Sequence, residues 1–150
     1  MEFRGAFERG SPERELVKSV HYMAGILVLV FTVLRLGFRS RHSYPAIVPP
    51  PPVWLHKLAA LVHLALYGML IGMPLLGWVI LSAEGHAVPF FGFELPALVA
   101  PDDALAGMAE EIHELIAQLG YGLIGLHAVA ALYHHYVQKD NTLSRMQLKG

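Results

Sequence analysis

The chain has no cysteine. That excludes disulfides, thiolate metal sites, iron–sulfur clusters and covalent haem attachment through C-x-x-C-H. Charge is scarce as well: 15% of the 150 residues are Asp, Glu, Lys or Arg, against roughly a quarter in soluble domains. With 55% hydrophobic residues, the chain reads as one membrane domain over 1–150, in contact with lipid. A net charge of −1 and the lack of a basic, aromatic-interleaved surface exclude a nucleic-acid partner. There is no G-x-G-x-x-G and no P-loop, so no nucleotide site is expected. The zinc pattern H-E-x-x-H is broken, because "EIHEL" is followed by Ala117 where the second histidine belongs. The N-terminal "MEFRGAFERGSPERELVKS" has no apolar core and is not a signal peptide. Residues 1–19 read as a loop.

What the chain does have is long apolar runs. Three reach the length of about 20 residues that a bilayer requires: residues 20–38, 54–81 and 111–137. Pro74 falls inside the second and predicts a kink. The fold class is therefore an all-α membrane protein with three transmembrane helices. The connections fix an orientation. Arg35, Arg39, Arg41 and Lys57 flank the proline-rich link after the first run, and Lys139, Arg145 and Lys149 follow the third. The link between the second and third runs carries Glu84, Glu94, Asp102, Asp103 and Glu110 with no Lys or Arg. By the positive-inside rule, the basic link and the tail 138–150 lie inside, and the acidic link and residues 1–19 lie outside.

Histidine is abundant, with nine copies. Four fall in "EIHELIAQLGYGLIGLHAVAALYHHY", residues 111–136. A ring buried in hydrocarbon costs free energy unless something satisfies it. His113 and His127 are 14 residues apart, close to four helical turns and about 21 Å along the axis. They share a helix face, with Gly120 midway, where a flat macrocycle needs a face without side chains. His21 opens the first helix at the same outer depth as His113. Two histidines at one depth on two helices suit bis-histidine ligation of a haem iron, which leaves no open position and favours electron transfer. His127, nearer the inside, suits a second haem. His63 reads as an interhelical hydrogen-bonding residue. His56, His134 and His135 read as solvated or headgroup-facing, and His42 and His86 as loop residues. Met23, Met69 and Met73 read as packing. Trp54, Trp78, Tyr133 and Tyr136 read as interface anchors, and Asp140 and Asn141 as helix terminators.

Four segments carry a family resemblance: "MEFRG" at the start, "FFGFELP", "IAQLGYGLIGLHAVAALYHHY" and "KDNTLSRM". Through these, along essentially its whole length, the chain resembles the prokaryotic cytochrome b561 family of small di-haem proteins of the bacterial inner membrane. That family has a four-helix haem-binding bundle, so the resemblance implies that the family's first helix is missing here, by a late start or a fragment. It implies haem b as cofactor, with His21 and His113 as the axial pair of a complete outer site. His127 is then one ligand of an inner haem whose partner belongs to the missing helix. The resemblance further implies electron exchange with the quinone pool, with superoxide as a donor and a quinone-linked oxidoreductase activity. A haem-bearing anchor for a soluble dehydrogenase or hydrogenase is the alternative, and a haem-free histidine metal or proton carrier is the second. The C-terminus is expected in the cytoplasm. Arg4, Arg9 and Lys18 are the cations available to propionates or an anionic substrate, among Glu2, Glu8, Glu13 and Glu15.

Overall fold

A computed structural model describes residues 10–41 and 46–142. Its frame is three helices: α1 (Pro12–Arg41), α2 (Val53–Ala83) and α3 (Asp103–Tyr133), the last continued by a π-helical turn, His134–Gln138. All three are long and apolar enough to cross a membrane. A two-stranded antiparallel hairpin, β1 (Val88–Phe90) and β2 (Phe93–Leu95), interrupts the link between α2 and α3. It is a small addition to an otherwise all-α fold. Its tip, Phe91 and Gly92, has positive φ at both positions, 47° and 86°, the backbone that a two-residue hairpin turn requires.

Two helices begin earlier than hydrophobicity alone predicts. The expected loop 1–19 is helical from Pro12 onward. Ser11 is the cause: its Oγ accepts from the Arg14 N–H at 3.3 Å, Pro12 supplies the fixed φ favoured at a first helical position, and Glu13 and Glu15 oppose the helix dipole. The third helix starts at Asp103 rather than 111. Asp102 caps it, its Oδ1 accepting from the Ala104 and Leu105 N–H groups, both at 3.0 Å. Charged residues read from sequence as loop thus form solvated first turns of membrane helices.

Packing is sparse, as it is when lipid rather than protein covers the helices. Phe31, Leu64, Leu119, Leu126 and Val129 are all more than half exposed. In water this surface would forfeit about 25 cal/mol per Å²; in a bilayer it is at home. The main core sits at the bundle end that the α2–α3 link closes, the outer end in the expected orientation, where Ile26, Leu81 and Val88 are buried together under Tyr22, Trp78, Phe90 and Leu95.

α2 and α3 pack antiparallel along one seam. Gly77 faces His113, Met69 faces Gly120, and His63 faces His127. On α3 these contacts recur every seven residues, the spacing that keeps one helix face turned to its neighbour. At the inner end, Asn141 accepts from the Val48 N–H at 2.9 Å and donates to the Ala46 carbonyl at 3.3 Å. These bonds fasten the chain after α3 to the α1–α2 link, so both lie on one side of the membrane.

Candidate functional site

α1 presents His21 and α3 presents His113 at the outer end of the bundle. Their ring centroids are 6.2 Å apart, with planes at 68°. An imidazole–metal bond is about 2.0–2.1 Å, so one metal ion with ligands on opposite sides fits between rings at this spacing. His113 Nδ1 is buried with no hydrogen-bond partner among the described residues. A buried, orphaned ring nitrogen calls for an explanation, and a ligand bound at this ring would be one.

Around the pair lies a cavity of about 530 Å³, within the range of sites that take cofactor-sized molecules. Its walls come from all three helices. Small residues lie one turn inward of each histidine: Gly25 on α1 and Ala117 on α3. Met69, Met73 and Gly77 form the α2 wall, and Trp78, Leu81 and Val88 lie toward the outer end. Two histidines are too few to hold a bare metal ion firmly, and among the described residues no group of three or more His, Cys, Asp or Glu is placed to do so. They are enough for an iron whose other four ligands belong to a macrocycle. Donor set, spacing, cavity size and apolar lining all fit haem.

The remaining expected site residues fall as follows. Gly120 is buried on the cavity wall, but its surface is taken: a β-carbon there would lie 2.5 Å from Met69 Sδ. Its smallness is also required by the Met69 side chain of α2. His127 does not reach the outer cavity, whose α3 wall ends at Ile124. Its neighbour is His63, with ring centroids 5.3 Å apart and planes at 74°. A second cavity of about 380 Å³ lies between α2 and α3, lined by Gly68, Gly72 and Leu123 and sharing Met69, Met73 and Gly120 with the first.

His134 is not solvated. Its Nδ1 is 2.5 Å from Asp140 Oδ2, with side-chain exposures of 18% and 3%. Asp140 also accepts from the Thr142 N–H at 2.9 Å. Burial raises the Asp140 carboxyl, yet hydrogen bonding with Thr142 and His134 outweighs it and holds the group below its ordinary value. Asp140 and Asn141, read from sequence as helix terminators, thus organise the inner end. Lys139, in the left-handed conformation at φ 53°, makes the turn that allows it. His56, His86 and His135 are exposed. Lys18 pairs with Glu15 at 2.8 Å. Arg4, Arg9, His42, Arg145 and Lys149 lie outside the described residues.

Known proteins resemble this chain along most of its length. The family model for prokaryotic cytochrome b561 matches residues 2–148. Cytochrome b561 homolog 1 of Escherichia coli (strain K12) is 46% identical over 97% of this chain and 83% of its own length. A probable superoxide oxidase CybB of Yersinia pestis is 39% identical over 89% of this chain and 76% of its own. Cytochrome b561 homolog 2 of Escherichia coli (strain K12) is 34% identical over 85% and 68% respectively. These matches make the chain a multi-pass, b-type haem protein of electron transport, and it belongs to the prokaryotic cytochrome b561 family.

Proposed function

We propose that this transmembrane cytochrome carries electrons through a b-type haem held between His21 and His113, exchanging them with the quinone pool of the bacterial inner membrane. The observation that carries the reading is the 6.2 Å approach of these two rings inside an apolar cavity. Bound haem supplies a one-electron iron couple. The protein's own part would be to hold the iron between His21 and His113, leaving no place for oxygen, and to keep water from the macrocycle with Ile26, Leu81 and Val88.

The inner end belongs to His127, which we read as one ligand of a second haem. His63 lies against it, and a further helix would hold the second ligand. Superoxide is the donor that the CybB relative's name supports. Each superoxide gives one electron and leaves as dioxygen; a quinone takes two electrons and two protons to become a quinol. The cytoplasmic side is the one with Arg35, Arg39, Arg41, Lys57 and Lys139, and Asn141 ties the C-terminal segment to that side through Ala46 and Val48.

The test is the reduced-minus-oxidised optical spectrum of the purified protein. We expect b-type bands, and their growth when a quinol is the reductant. Bands that respond to dithionite but not to any quinol would remove the quinone link.

A further inference from the structure

One residue of the outer link 84–102, Val88, lines the outer cavity, and two side chains of α2 fasten that link. β1 brings Val88 onto Ile26 and Leu81, where it is 3% exposed and lines the cavity. The rest of the outer link then runs back across the end of α2. Trp78 lines the cavity, and its Nε1–H donates to the Pro96 carbonyl at 2.9 Å. One turn on, Ser82 is 1% exposed. Its hydroxyl donates to the Trp78 carbonyl at 2.8 Å and accepts from the Leu98 N–H at 3.1 Å. The Asp102 N–H closes the link by donating to the Ala83 carbonyl at 2.9 Å.

We propose that Trp78 and Ser82 are positioning residues that hold the outer link 84–102 down over the haem cavity, and so limit how closely a water-soluble electron donor approaches the outer haem. The inference rests on the haem reading above and adds access control to it. A link of this length with only three-residue strands has little structure of its own, so its closed position depends on what ties it down. Ser82 is a buried hydroxyl on an apolar helix, a costly choice unless both its hydrogen bonds are used, and both are used to fasten. Trp78 reads from sequence as an interface anchor; here its indole N–H is spent on a loop carbonyl instead. Loss of one net hydrogen bond shifts a local opening equilibrium by about fivefold, so either substitution populates the open link. Neither changes charge, so electrostatic steering of the donor stays constant.

The experiment is stopped-flow reduction of the ferric protein in nanodiscs, for wild type, Trp78→Phe and Ser82→Ala. The water-soluble donor is hexaammineruthenium(II): one electron passes from Ru(II) to ferric haem, leaving Ru(III) and ferrous haem. Duroquinol is the lipid-soluble comparison. We expect Ser82→Ala to keep the wild-type optical signature, and both variants to be reduced at least about threefold faster by the ruthenium donor and to be unchanged toward duroquinol. Ser82 does not line the cavity, so if Trp78→Phe loses haem, Ser82→Ala alone decides the outcome. No acceleration in Ser82→Ala with haem bound, or equal acceleration by both reductants, overturns the proposal. Absence of b-type bands in wild type is a different result: it removes the haem reading beneath it.

Discussion

Met69 lies so close against Gly120 that a β-carbon at position 120 would sit 2.5 Å from its sulfur. This contact sets the distance between α2 and α3 midway along the seam, between the Gly77–His113 and His63–His127 contacts. It therefore fixes the width of the outer cavity, whose wall includes both residues.

Gly120→Ala should push the Met69 side chain off its seat and cost about 1–3 kcal/mol. A thioether is flexible, so the lower end of that range is expected. Shortening the neighbour should restore the fit: Gly120→Ala with Met69→Ala is expected to be more stable than the sum of the two single effects. Denaturation followed by loss of the haem absorbance measures all three.

The inner and outer histidine pairs are separate. The outer cavity stops at Ile124, and His113 and His127 are about 21 Å apart along α3. His63→Ala and His127→Ala should each leave the optical signature and content of the outer haem unchanged. Loss of the outer haem in either variant would show that the two ends fold as one site.

Asp140 provides a pH dependence at the inner end. Its folded-state pKa is lowered, so it contributes stability that is fully present above the unfolded carboxylate value of about 3.9 and disappears as pH falls through the lower folded value. Melting temperatures of wild type and Asp140→Ala should differ by a constant amount above about pH 5 and converge below about pH 4. A gap that widens on acidification would reverse the sign assigned to this carboxyl.

Much of the fold is legible in the sequence because apolar runs of bilayer length have few alternatives. The helix starts are less so: caps at Ser11 and Asp102 carry α1 and α3 through charged residues that a hydrophobicity reading assigns to loops. His21 and His113 stand out because helix order and the charge of the links place them at one depth. The His63–His127 contact does not, because seeing it requires knowing which face of α2 turns toward α3. A signal for it does exist: histidines and glycines fall at seven-residue steps on both helices, at His56, His63 and Gly77 on one and at His113, Gly120 and His127 on the other. The Asp140–His134 pair is hidden for another reason. It forms only because Lys139 takes a left-handed conformation, and lysine gives no local warning of that.

That His21 and His113 hold one haem between them is tested most directly by haem content per chain. The reduced-minus-oxidised spectrum of purified His113→Ala, normalised to protein, should show the outer haem's b-type band lost relative to wild type, with the three helices intact by circular dichroism. Full wild-type haem content in His113→Ala, with unchanged band positions, would contradict it.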